Sequence, residues 1–223
     1  MASRVAEAAP DLAQLRNDYA LKTLDEGHVD RDPMKQFGVW MVEAIHAQVP
    51  EPTAMTLATA DAKGRPSARI VLLKGMDPRG FVFYTNYDSR KGRELAANPH
   101  AALLFPWHPL GRQVIVEGSA SPVTDDASDA YWATRPRGSQ IAAMASPQSQ
   151  VIPDRAGFER RWADLERDLE GVDVPRPDNW GGFRVAHERV EFWQGRERRM
   201  HDRLAYRRDP DVPTGWRVER LAP

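Results

Sequence analysis

The apolar positions change period from about residue 54, and that change divides the chain into helical and strand-forming parts. Before it, in DPMKQFGVWMVEAIHAQ, Phe37, Trp40, Met41, Ala44 and Ile45 recur at helical spacing; Asp32 can cap this helix and Pro33 suits its first position. The simplest use of that stripe is core packing. Upstream, DLAQLRNDYALKT predicts a short helix, marginal alone and therefore docked on something else. Beyond residue 54 come strands separated by turn signals: AMTLATA, the turn DAKGR, SARIVLLKG, the turn MDPRG and FVFYTN. SRKGRELAAN then predicts a helix, and HAALLFPW and RQVIVEGSAS two further strands. TDDASDAYWAT, GSQIAAMAS and DRAGFERRWADLERDLEG predict helices, GVDVPRPDNWGG a Pro/Gly-rich loop, FRVAHERVEFWQG a return to strand, and LAYRR with GWRVERLAP a closing hairpin. Connections this short suit antiparallel pairing rather than parallel strands with helical crossovers. The expected fold is mainly β with peripheral helices (α+β), with enough strands to curl into a barrel. No repeat or linker divides residues 1–223, so one domain is expected.

Composition narrows the chemistry. Lys plus Arg at 31 against Asp plus Glu at 32 leaves no bulk electrostatic footprint for nucleic acid, so any anion site is local. The absence of cysteine removes disulfides, thiolate catalysis, Cys-ligated zinc and iron–sulfur clusters. The six histidines lack helical metal-ligand spacing, and no metal site is expected. No apolar run has the length of a signal peptide or a membrane span, so the expectation is a soluble cytoplasmic protein with neither nucleic acid nor membrane as partner. Neither G-x-G-x-x-G, nor a P-loop, nor G-x-S-x-G occurs. A phosphate would have to be held by side chains.

Three stretches carry candidate chemistry. RRMHDR (198–203) sets three arginines around one histidine and one aspartate; on a strand, Arg199, His201 and Arg203 would share a face, a cationic comb suited to an anionic planar ligand or simply to a charged sheet edge. In DSRKGREL, Ser89 can cap a helix whose first turn is crowded by Arg90, Lys91 and Arg93, where the macrodipole disfavours cations unless an anion relieves them. In YWATRPRGS, Tyr131 and Arg135 are four apart and Pro136 starts a second helix, so that Tyr131, Arg135 and Ser139 could converge on one anion. Arg69 and Lys74 end an apolar strand at odd spacing, which points them to opposite faces unless the strand end bends.

Taken in order, RIVLLK, FVFYTN, SRKGREL, LLFPW, RQVIVEG, YWATRPRGSQI, PQS, NWGGFRV, EFWQG, RMHDR and the terminal RLAP resemble the pyridoxine/pyridoxamine 5′-phosphate oxidase family, from roughly Arg16 to Pro223. The resemblance implies an FMN-binding split β-barrel, working as a homodimer with active sites at the subunit interface, and an N-terminal lid segment at about residues 1–32. It implies oxidation of pyridoxamine 5′-phosphate and pyridoxine 5′-phosphate to pyridoxal 5′-phosphate in vitamin B6 biosynthesis and salvage. O2 would be the acceptor, giving H2O2, with NH3 released from the amine. Its FMN contacts fall on Arg69, Ile70, Val71, Leu72, Leu73, Lys74, Tyr84, Thr85, Arg90, Lys91, Gln113, Gln148, Ser149, Trp193 and Arg203. Its substrate contacts fall on Arg16, Tyr19, Lys74, Tyr131, Arg135, Ser139, Arg199 and His201, of which Arg199 and His201 are the catalytic pair. Asp202 has no implied role and is expected to pair with a neighbouring arginine.

Overall fold

The computed structural model of the chain describes residues 23–223. The expected N-terminal helix, with Arg16 and Tyr19, lies outside the described residues. Helix α1 (Pro33–His46) starts where its sequence predicts, with Asp32 Oδ1 accepting from the Met34 N–H at 2.8 Å and proline in the first turn. Phe37 is fully buried and meets Phe81 and Phe105 edge-on at 4.9 and 4.8 Å, while Trp40 meets Phe192 at 5.1 Å. The helix thus plugs the sheet. Its apolar stripe is narrower than the sequence suggested, because Ile45 is 53% exposed. Eight residues at 3.6 per turn carry Ile45 about 80° around from Phe37, away from the sheet.

Ten strands follow, all paired antiparallel: β1 (Ala54–Ala60), β2 (Pro66–Leu72), β3 (Gly75–Asp77), β4 (Gly80–Asn86), β5 (His100–Trp107), β6 (Arg112–Pro122), β7 (Trp180–Val185), β8 (Arg189–Gln194), β9 (Asp202–Arg208) and β10 (Trp216–Arg220). The main path runs β10-β9-β8-β6-β5-β1-β2, and β3, β4 and β7 branch from it through the far end of β6. Long β6 serves both parts, pairing with β8 over residues 112–117 and with β7 over residues 120–122. Beyond the end of β2 the Lys74 N–H donates to Val82 O at 2.8 Å, so the sheet curls back towards β4. The result is the expected split barrel.

The expected return to strand in FRVAHERVEFWQG takes the form of two strands, β7 and β8. The Ala186 and Glu188 N–H groups donate to Ser119 O and Glu117 O, carrying the chain over Gly118, where a Cβ would collide with the Ala186 carbonyl. The RRMHDR comb is also revised. Glu197–Arg199 form one 3-10 turn with Arg198 and Arg199 in the left-handed region (φ 54° and 60°), and β9 begins only at Asp202. The cluster is therefore a turn leading into a strand.

Helices α2 (Arg90–Ala97), α3 (Asp125–Ala133), α4 (Arg137–Ala145) and α5 (Arg155–Asp168) complete the fold. Trp132, Ile141, Val174 and Trp180 form a small core of their own, against which Trp162 and Leu165 of α5 pack. This cluster lies beside Tyr84 of β4 and builds one wall of a cleft.

Candidate active site

A cleft of about 540 Å³ opens between β2, β4 and the α2, α3 and α4 helices. Arg69, Ile70, Val71, Leu72 and Lys74 line one side; because β2 ends at Leu72 and the chain bends there, Arg69 and Lys74 both reach it. Tyr84 and Thr85 of β4, Lys91 of α2 and Gln148 line it as well. Ser89 caps α2 by accepting from the Gly92 N–H, which sets Lys91 in the first turn facing inward. The Lys91 ammonium donates to Gln148 Oε1 (3.0 Å), Thr85 Oγ1 (3.2 Å) and Ser89 Oγ (3.4 Å), all neutral oxygens. Burial, with the Arg69 charge adding to it, pulls its pKa down to about 8. This is a half-buried cation without a carboxylate partner among the described residues.

The other end of the cleft is the α3–α4 corner. Helix α3 stops at Ala133 and Pro136 precedes α4, so Tyr131, Arg135 and Ser139 all line the same cavity, as their spacing allowed. Tyr131 stacks on Tyr84 with ring centres 3.9 Å apart and planes 16° from parallel, and Trp180 lies nearly parallel to both at 6.2 and 5.6 Å. The Arg135 guanidinium sits 4.9 Å from the Trp180 ring centre and donates from Nη2 to Ser139 O (3.0 Å). Its Nε is buried and has no acceptor among the described residues. A buried donor left so costs about 1–3 kcal/mol, which a bound anion would recover.

Not every expected residue lines this cleft. Leu73 is packed in the core, and Arg90 turns its Nε to Glu94 Oε1 at 2.8 Å. Ser149 adjoins Gln148 in a left-handed conformation (φ 68°) outside the lining. Gln113, Trp193 and Arg203 form a second group, aligned side by side across β6, β8 and β9. β9 is five strand spacings from β2, about 24 Å along the sheet. His201 joins this group with its ring 4.7 Å from that of Trp193, and its Nδ1 accepts from the Arg196 N–H at 3.0 Å. Buried Glu191 holds Arg203 at 2.7 Å and Arg189 at 2.6 Å. Burial works to raise its pKa, and the two arginine hydrogen bonds outweigh that and lower it. Asp202 pairs with Arg196 (3.2 Å) and Arg220 (2.8 Å), as expected of it.

The sequence reading missed Trp180, Phe158, Ala142, Ala143 and Ser146, which also line the cleft. Only Trp180 left a signal: it precedes Gly181 and Gly182, where added Cβ atoms would strike the Tyr87 hydroxyl and the Tyr84 ring. Among the described residues no helix is long and apolar enough to cross a membrane.

Comparison with known proteins agrees with the geometry. Residues 41–166 match the family described as pyridoxamine 5′-phosphate oxidase, and residues 180–223 match the pyridoxine 5′-phosphate oxidase C-terminal dimerisation region. The pyridoxine/pyridoxamine 5′-phosphate oxidase of Rubrobacter xylanophilus is 58% identical over 97% of this chain and 98% of its own, and that of Paraburkholderia xenovorans 56% identical over 95% and 99%. Among solved structures, PhzG from Burkholderia lata, in complex with tetrahydrophenazine-1-carboxylic acid, superposes with a TM-score of 0.85 at 33% identity, covering 91% of this chain and 99% of that one. A pyridoxamine 5′-phosphate oxidase-related FMN-binding protein from Nostoc punctiforme, 17% identical over 87% of this chain and all of its own (TM-score 0.68), shares the fold. With a family match across most of its length and relatives this similar, the chain belongs to the pyridoxine/pyridoxamine 5′-phosphate oxidase family.

Proposed function

We propose that the chain, acting as one domain, binds FMN and oxidises pyridoxamine 5′-phosphate and pyridoxine 5′-phosphate to pyridoxal 5′-phosphate. One observation carries this reading: a single cleft is lined by two anion-seeking cations, Lys91 and Arg135, and by the near-parallel rings of Tyr84, Tyr131 and Trp180. That arrangement suits two planar molecules, each bearing a phosphate. Arg69, Lys91, Thr85 and Gln148, with Arg90 beside them, would hold the flavin phosphate. Lys74, Tyr131, Arg135 and Ser139 would hold the phosphate of the substrate. Arg16 and Tyr19, outside the described residues, belong to the same substrate set.

The second group, Gln113, Trp193, His201 and Arg203, with Arg199 two residues before His201, would complete the site from the partner subunit of a homodimer, while Ser149 would stay with its neighbour Gln148. The match of residues 180–223 to a dimerisation region supports this. The names of the family relatives support the substrate class.

A flavin held there would supply the two-electron chemistry, as acceptor of a hydride from the substrate C4′ with O2 as final oxidant reduced to H2O2. The chain's own residues bind and orient. The phosphate clamp fixes one end of the substrate, so that C4′ is presented in one pose and a bimolecular encounter becomes an intramolecular one. Arg199 and His201 would contact the pyridine ring. Because His201 Nδ1 accepts a backbone N–H, the neutral ring carries its proton on Nε2 and offers a donor there. His201 is thus suited to orient the substrate by hydrogen bonding rather than to remove a proton. Water then releases NH3 from the oxidised amine, whereas the alcohol gives the aldehyde directly.

The test is anaerobic mixing of FMN-loaded protein with each phosphate ester, following loss of the oxidised-flavin absorbance. Bleaching by both esters supports the reading. Bleaching only by a fused-ring carboxylic acid, of the kind bound in the PhzG structure, would overturn it in favour of a substrate of that class.

A further inference from the structure

Glu94 lies behind the phosphate end of the cleft and has no place in the site described so far. It is 6% exposed, on the second turn of α2. Its Oε2 accepts from Thr59 Oγ1 (2.5 Å), Ser67 Oγ (2.6 Å) and Arg69 Nη2 (3.2 Å), and its Oε1 from Arg90 Nε (2.8 Å). Four donors from β1, β2 and α2 thus meet on one carboxylate. Burial alone would raise its pKa, but hydrogen bonds from Ser67, Thr59 and Arg90 outweigh it and hold the carboxyl ionised, with a pKa of about 2.

The arrangement constrains the two arginines differently. The terminal nitrogens of Arg69 are committed to Leu57 O (3.2 Å), Thr59 Oγ1 (2.5 Å), Ser67 Oγ and Glu94, which locks the guanidinium at the cleft wall. Arg90 gives Glu94 only its Nε, and its terminal nitrogens, on a side chain 60% exposed, meet no acceptor among the described residues. Arg69, Arg90 and Lys91 together bring three positive charges, and Glu94 reduces them to a net of two. Two is the charge of a phosphate monoester dianion near neutral pH.

We propose that Glu94 is a positioning residue for the phosphate end of the flavin: it holds Arg69 and Arg90 from sheet and helix in one arrangement and so sets the preference for a phosphorylated flavin. This rests on the FMN reading above. A removed carboxylate would leave one arginine without its partner and the other free to rotate, so that the anion would meet unorganised cations.

The experiment measures the affinities of FMN and riboflavin for flavin-free protein by quenching of flavin fluorescence, in wild type, Glu94→Gln and Glu94→Asp. Glutamine removes the charge at nearly constant shape, and aspartate keeps the charge but withdraws it by one methylene. Expected is an FMN affinity at least tenfold lower in both variants, with riboflavin affinity within twofold of wild type. An unchanged or tighter FMN affinity would overturn the proposal, as would an equal fall for both flavins, the signature of a residue that only stabilises the fold. If Glu94→Gln does not fold, Glu94→Asp alone decides by the same ratio. Failure of the wild type to bind FMN would instead overturn the cofactor reading.

Discussion

Lys91 offers the sharpest handle on the cofactor site, because its charge state changes within an accessible pH range. Among the described residues its ammonium meets only the neutral oxygens of Thr85, Gln148 and Ser89, and burial together with Arg69 brings its pKa to about 8 from an ordinary 10.5. A phosphate dianion bound beside it requires the charged form. The phosphate itself has its second pKa near 6 and is almost wholly dianionic above pH 7, and Arg69 and Arg90 stay charged throughout. Above pH 7 the apparent dissociation constant for FMN therefore rises as the fraction of charged Lys91 falls, by roughly tenfold between pH 7 and pH 9. Replacing Lys91 by methionine removes a charge-assisted hydrogen bond worth about 1.5–3 kcal/mol, or roughly 10- to 150-fold in FMN affinity at pH 7. The variant should also lose the pH dependence, so the two curves converge as pH rises. Fluorescence-quenching titrations from pH 6.5 to 9.5 with FMN, and with riboflavin as the phosphate-free control, measure both effects. A wild-type FMN affinity that is flat over this range, or a Lys91→Met variant that keeps the slope, would refute the reasoning.

Arg135→Ala removes the guanidinium whose Nε lacks an acceptor, and should lower kcat/KM for both phosphate esters by roughly 10- to 150-fold. FMN affinity should stay within twofold, and a parallel loss of flavin would mean that the two phosphate sites are wrongly divided. Mixed dimers test the sharing of the site: Lys91→Met and Arg199→Ala proteins, each impaired alone, should regain activity when refolded together, because half the sites in a heterodimer carry neither change. No recovery, with heterodimers demonstrated, would put both groups in one subunit's site. His187 is 3% exposed, and burial, aided by the Arg208 charge, holds its pKa at about 4, so the unfolded chain binds a proton there before the folded one does. Stability should fall by about 3 kcal/mol from this group as pH drops from about 6.5 to about 4. Denaturant unfolding of His187→Asn should show a shallower acid limb, and an identical limb would exclude the assignment.

The legible parts of the sequence were those in which local chemistry and fold agree. Asp32 with Pro33 marked the start of α1, and the cations crowding the first turn of α2 pointed to an arrangement needing negative charge. Part of that charge turned out to be internal, since Glu94 stands four residues after Arg90 on the same helix face, a spacing that was open to reading. RRMHDR lies beside the sheet, but the shared face expected of a strand does not form, because Arg198 and Arg199 adopt left-handed backbone, which side-chain alternation cannot reveal. The break between β7 and β8 depends on a distant residue, Gly118, over which the chain must pass. Trp180 entered the site through tertiary stacking on Tyr84 and Tyr131, contacts between elements far apart in the chain. Arg69, Lys74, Lys91, Tyr131, Arg135, Ser139 and Gln148, which the family resemblance singled out, all line one cleft.

The most direct measurement is steady-state oxygen consumption by the FMN-loaded protein with pyridoxamine 5′-phosphate and with pyridoxine 5′-phosphate, with the aldehyde and peroxide quantified in the same samples. The account predicts pyridoxal 5′-phosphate and H2O2 in equal amounts from either ester, with an equal amount of NH3 from the amine alone. Oxygen uptake without aldehyde, or tightly bound FMN with no turnover of either ester, would contradict it.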